Sequence, residues 1–396
     1  MAGIRTVGQA PVRLYALDAL RITAALVVVL YHYVALGTAW GLSGTQHLFP
    51  TLRPFALYGW LGVEIFFIVS GFVICMSAWG RTVGDFATSR ISRLFPAYWA
   101  GIAFTAFVLW MLPELWRIDE WADVLVNLTM FQGGIGVPHL DHAYWTLFEE
   151  LKFYALFALV IRLGVTYRNC IVFIGLWTVA GIVAPSTDFR LLHFFAIPQY
   201  SPYFIAGVAF YLMRRFRPSG LLWGIVGCQF LLAQHYVRGR MATNLGRHLA
   251  EQLPAWPARI VIAVGFLAMA AIALGLFDRI QWSWLSTVGA ITYPLYIIHM
   301  TAGITLIHHF RGTMPAHALV GTVTAAMMVV AWLIHRFVER PLSRRLRSAM
   351  RSGIEDIRRS TPVQASPPRS TPPSSPPSPL PSQRRDRVVE PDLTRR

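Results

Sequence analysis

The chain has 396 residues, of which 55% are hydrophobic and 14% charged, and its mean hydropathy is +0.49. A soluble domain carries about a quarter charged residues, so these values argue against a water-soluble enzyme and for an integral membrane protein. The net charge of +16 is almost wholly arginine, with Lys152 the only lysine, and the arginines fall in short runs between apolar segments, a pattern that points to a lipid bilayer and no nucleic acid as partner.

In chain order, about ten apolar segments of roughly 20 residues can be drawn as spanning helices. Their centres lie near Val27, Ile68, Phe104, Ala155, Leu176, Ala206, Val226, Val264, Pro294 and Met327. Regularly spaced alternating strands are missing, so the predicted class is an all-α polytopic membrane protein rather than an outer-membrane barrel. The first segment follows Arg5 and Arg13 without a small-residue cleavage site and is predicted to stay as the first span. Arg81, Arg90 and Arg93 follow the second span, Arg162 and Arg168 the fourth, and Arg214, Arg215 and Arg217 the sixth. Arg336, Arg340 and Arg344 follow the last, whereas the loop 113–142 is acidic, with Glu114, Asp119, Glu120, Asp123 and Asp141. The positive-inside rule then predicts both termini in the cytoplasm. Arg238, Arg240, Arg247 and Arg259 disagree, because they fall on the predicted outer side.

Cys75, Cys170 and Cys228 sit in apolar surroundings without ligand spacing and read as small buried hydrophobes. No histidine–carboxylate set has metal-ligand spacing, so no metal is expected. Toward the C-terminus the composition turns to Pro, Ser and Arg. This predicts a membrane domain over residues 1–350 and a disordered cytoplasmic tail over 351–396.

Ionisable residues inside spans are costly and mark functional sites. In the first span Arg21 and His32 stand eleven residues apart, about 20° past three full turns, with a rise of about 16.5 Å. Both therefore face one side, and Asp18 is placed to pair with Arg21. In the second span Glu64 is expected near the outer interface, and Ser70 with Gly71 reads mainly as a close-packing pair. Arg90 and Arg93, three apart at a helix start, suit a phosphate-bearing ligand. In the fourth span Glu149 is expected to neutralise Lys152, which leaves Glu150 free for another face. A carboxylate there is able to orient a membrane histidine such as His32. Tyr293-Pro294-Leu295-Tyr296-Ile297-Ile298-His299 places a further histidine in a span, and Glu339-Arg340-Pro341 closes the last one.

Together these pieces resemble the acyltransferase 3 family of membrane O-acyltransferases. The matching elements, in family order, are Leu-Asp-x-Leu-Arg, the Arg21–His32 spacing, Phe-Phe-x-x-Ser-Gly-Phe and Arg-x-x-Arg-x-x-Pro-x-Tyr, followed by Trp-Thr-Leu-x-x-Glu-x-x-Phe-Tyr, Tyr-Pro-Leu-Tyr-x-x-His and Glu-Arg-Pro. The resemblance implies transfer of an acetyl or other short acyl group from acyl-CoA, as co-substrate, to a hydroxyl. The acceptor it implies is a sugar of a surface polysaccharide, lipopolysaccharide or lipid-linked glycan, or of a macrolide or other secondary metabolite. It places the protein in the cytoplasmic membrane of a bacterium. Arg21 and His32 match the family's basic pair, Glu150 its glutamate after Trp145, and Arg90 with Arg93 its arginine pair. The expected roles are His32 as general base, Glu150 as the group orienting it, and the arginines as the acyl-CoA phosphate site. One departure is Leu151, where many members carry a second glutamate. Another is the short segment after the last span, which implies no acyl relay to an attached esterase-like domain. The rival from another class is a proton-coupled transporter, which the lack of internal repeats disfavours.

Overall fold

The computed structural model describes residues 14–41 and 44–360, and every regular element among them is helical. The long helices are α1 (Tyr15–Leu30), α2 (Gly62–Ala78), α3 (Val83–Met111), α4 (Trp145–Arg162), α5 (Tyr167–Val183) and α6 (Ser201–Phe216). They are followed by α7 (Gly220–Leu245), α8 (Trp256–Ala273), α9 (Trp284–Ile298), α10 (Thr301–Phe310), α11 (Ala316–Leu333) and α12 (Arg340–Ser360). Local chemistry sets several starts: Thr82, Thr166 and Ser219 accept the backbone N–H of Asp85, Asn169 and Leu222 at the heads of α3, α5 and α7.

Seven helical segments are long and apolar enough to cross a membrane, and an eighth appears if α9 and α10, bent by 70° at their junction, form one span. Each of the ten expected centres falls within a helix. Two of these helices are not simple spans: α4 carries Glu149, Glu150, Lys152 and Arg162, and α6 has only 16 residues. The α6 side chains from Ser201 to Met213 are nevertheless all buried, which makes α6 a core helix of the bundle. Helix α12 continues through residues 351–360, the first ten of the expected tail. The rest of that tail lies outside the described residues.

Lipid tails are as apolar as leucine, so these helices associate by close packing at small residues. A Cβ on Gly71 of α2 would stand 3.1 Å from the Cα of Gly207 of α6, and one on Gly207 would meet the Ile68 carbonyl. Gly59 and Gly62 at the head of α2 meet Tyr31 and Val28 of α1, so α2 runs antiparallel to α1. Asp18 packs on Gly289 and His32 on His299, so α9 runs parallel to α1.

Three expectations need correction here. Glu64 is not a solvated carboxylate: it is 1% exposed and accepts from Nε and NH2 of Arg240 at 3.1 and 3.0 Å. Arg240 also faces the Tyr200 ring at 4.4 Å, and Arg238 donates to the carbonyls of Ala250 and Leu253. These two arginines are therefore not a loop that breaks the positive-inside rule. They belong to α7, one as a buried counter-ion and one as a cap for the chain that follows. The third correction is Cys228, which is exposed, whereas Cys75 and Cys170 are buried as expected.

Candidate active site

Helices α1, α2, α3, α4 and α9 meet around an open cleft of about 820 Å³. Arg21, Arg90, Arg93 and Glu150 all line it, so four of the five residues singled out from sequence stand together. Among the described residues that line it, three guanidinium groups stand with one carboxylate, and Asp18 lies within electrostatic reach of Arg21; the balance is still positive and suits an anion. Arg90 is 9% exposed; it donates to Ser77 at 3.3 Å and faces the Phe86 ring, while its Nε finds no acceptor among the described residues. A buried guanidinium N–H left over in this way is a ready donor to a phosphate oxygen. Phe66, Phe67, Tyr293 and Tyr296 line the same cleft and give it an aromatic wall beside the arginines.

Helix α1 ends in a π-helical turn, Tyr31–Ala35, and His32 sits in it. Such turns widen the helix and redirect a side chain, and they are frequent at functional sites. The His32 ring meets His299, the residue that closes α9, with His32 Nδ1 and His299 Nε2 3.1 Å apart. His299 Nδ1 stands 2.7 Å from the Tyr296 carbonyl oxygen. A carbonyl only accepts, so His299 Nδ1 carries the hydrogen and, in the neutral ring, Nε2 is the acceptor. The hydrogen between the two rings therefore belongs to His32 Nδ1. In that tautomer the lone pair of the His32 ring is on Nε2.

This arrangement corrects the expected partner of His32. Glu150 does not orient it: the Glu150 carboxylate takes the Ser70 hydroxyl hydrogen bond and lies within electrostatic reach of Arg21, Arg90 and Tyr154. The rise of α1 separates Arg21 from His32 by about 16.5 Å, and Glu150 is at the arginine end. Ser70 is thus a polar contact rather than a packing residue, and Gly71 alone provides the close approach. Glu149 and Lys152 do pair, at 2.6 Å, with the ammonium also over the Phe194 ring at 4.7 Å. His299 was visible in the sequence as the end of its motif, but nothing in the spacing tied it to His32, 267 residues away.

A second cleft, of about 600 Å³, is lined by Trp116, Asp119, Glu120, Asp123, His142 and Thr301. It belongs to the acidic loop and the start of α10. His142 lies within electrostatic reach of His32, while Tyr296, whose ring is 5.5 Å from that of His299, lines the arginine cleft. Neither histidine lines either cleft, but each has a neighbour that does: His142 of the acidic cleft for His32, and Tyr296 of the arginine cleft for His299.

The described residues thus form an all-helical bundle with an arginine-lined cleft and, beside that cleft, a hydrogen-bonded histidine pair. Residues 14–336 match the acyltransferase domain family, and the chain belongs to that family. It is 25% identical over 376 residues to the acyltransferase MdmB of Streptomyces mycarofaciens, which covers 85% of this chain and 93% of that protein. It is 31% identical over 165 residues to the O-acetyltransferase OatA of Staphylococcus aureus, and 28% identical over 170 residues to the putative peptidoglycan O-acetyltransferase YrhL of Bacillus subtilis. These two matches cover 37% of this chain and 24% of each relative. No solved structure matches the chain.

Proposed function

We propose that this protein transfers a short acyl group from acyl-CoA to a hydroxyl of a glycan, across the thickness of a bacterial cytoplasmic membrane. The observation that carries this reading is the arginine-lined cleft, whose residue Tyr296 packs beside the hydrogen-bonded His32–His299 pair. The phosphate-bearing head of the donor binds Arg90, Arg93 and Arg21, and its thioester arm follows the aromatic wall to Tyr296. The acceptor enters by the acidic cleft, where the Trp116 ring offers the kind of face on which sugars stack. The names of the two O-acetyltransferase relatives support transfer to a hydroxyl, and that of the Bacillus subtilis relative, which mentions peptidoglycan, supports a glycan acceptor.

In the chemical step His32 Nε2 takes the proton of the acceptor hydroxyl as its oxygen adds to the thioester carbonyl carbon. The C–S bond breaks, His32 returns the proton to the departing thiolate, and an ester and a free thiol result. Glu150, bonded to Ser70, serves as the counter-charge that spaces the three guanidinium groups.

Equilibrium binding of radiolabelled acetyl-CoA to the purified protein in nanodiscs tests the donor site. Saturable binding that weakens at least tenfold in Arg90→Ala and falls with rising salt is expected. Equal binding by wild type and Arg90→Ala would remove the donor from this cleft.

A further inference from the structure

Helices α9 and α10 form a pair bent by 70° that together is long and apolar enough to cross a membrane. Where a helix breaks, carbonyls at the end of the first half and N–H groups at the head of the second lose their partners. With no water to accept them, such groups persist only if the protein satisfies them. Here each side of the break is met by a buried side chain. Asp141, in the chain leading to α4, accepts the Thr301 backbone N–H at 2.8 Å and, through its other oxygen, the Ala143 N–H at 2.8 Å. Tyr33, one residue after His32, donates its hydroxyl to the His299 carbonyl at 2.7 Å. Both residues have 0% exposure, and Gly303 is bare where any side chain would collide with the Tyr33 ring.

These contacts lie one on each side of Met300, at the point of the 70° bend. His299 immediately precedes that point, so its ring direction follows the angle of the break. Resting on the reading of His32 as base, we propose that Asp141 and Tyr33 are positioning residues: they clamp the α9–α10 break so that His299 Nε2 faces His32 Nδ1 and holds it in the tautomer with its lone pair on Nε2. The clamp also ties the start of α4 to the same point, because Asp141 holds Ala143 and the adjacent Tyr296 hydroxyl meets Thr146 at 2.8 Å. One carboxylate thus fixes the histidine pair against the helix that brings Glu150 into the arginine cleft.

The test uses full-length protein in nanodiscs, labelled with ¹⁵N-histidine, with tautomers read from ring-nitrogen shifts. Wild type should show a single Nδ1–H tautomer at His32 and His299. Asp141→Asn keeps one acceptor oxygen but turns an amide toward the other N–H, and should lose that single tautomer. Tyr33→Phe removes one hydroxyl only, and should show a smaller change of the same kind. Acetyl-CoA binding should stay within twofold in both variants, while acetyl transfer falls by up to about 10²-fold through kcat, the scale of a misplaced reacting group. Unchanged histidine shifts in both variants would overturn the clamp. If Asp141→Asn does not accumulate, Tyr33→Phe alone decides, and wild-type shifts there overturn it too. The tautomer readout needs no turnover, so a protein that fails to acetylate contradicts the proposed function and leaves the clamp to be judged on its own signal.

Discussion

At the scale of residues, the account rests on one proton. The Tyr296 carbonyl fixes the hydrogen on His299 Nδ1, and that in turn fixes the hydrogen on His32 Nδ1. Removing the base in His32→Ala should lower transfer by about 10²- to 10⁴-fold with normal membrane accumulation. His299→Gln should retain more activity than His299→Ala, because the glutamine carbonyl oxygen is able to accept from His32 Nδ1; steady-state kcat of the two variants checks this order. Glu150 predicts a different signature. On the proposed function it acts on donor binding, as a counter-charge among arginines, so Glu150→Gln should change the KM for acyl-CoA more than kcat. A collapsed kcat at unchanged KM would return Glu150 to the chemistry. The arginine cluster and His32 were legible as costly charges in apolar runs, since a membrane tolerates such groups only for a reason. The partner of His32 was not legible, because helical spacing places residues on one face of one helix and is silent on what a second helix brings to it. The carboxylate of Glu150 therefore looked available to a histidine that another histidine already holds.

At the scale of elements, small residues decide which helices touch. Gly207→Val should prevent α6 from seating on α2, since its branched side chain would need the space of the Ile68 carbonyl; loss of folded protein from the membrane, read by size-exclusion profile in detergent, is the expected result. Normal folding of that variant would mean that the two helices do not cross there. The long apolar helices were legible from composition, and all ten expected centres are helical. The character of α4 and α6 was not. Hydropathy reads both as spans, but α4 carries an internal ion pair, Glu149 with Lys152, and α6 is enclosed by protein. Glu149→Gln should lower stability by leaving the ammonium unpaired, with less effect on rate than on yield.

At the scale of the whole molecule, charge placement separates into two kinds. Arginines of the loops are expected to follow orientation, whereas Arg240 inside α7 packs against Glu64. Sequence alone gave both the same weight, because a buried partner 176 residues away leaves no local mark. Breaking this pair should be severe: Glu64→Gln is expected to cost about 3–5 kcal/mol, visible as a lower midpoint of thermal unfolding. The two clefts carry opposite charge, arginines lining one and Asp119, Glu120 and Asp123 lining the other, and the proposed function joins them through the histidine pair. The most direct measurement of that central claim is single-turnover transfer of label from radiolabelled acetyl-CoA in nanodiscs, comparing wild type with His32→Ala after donor binding has been matched. The account predicts release of free CoA with label passed to a hydroxyl acceptor, or to water in its absence, by wild type, and a loss of at least 10²-fold in the variant. Equal rates in the two proteins at equal donor occupancy would contradict it.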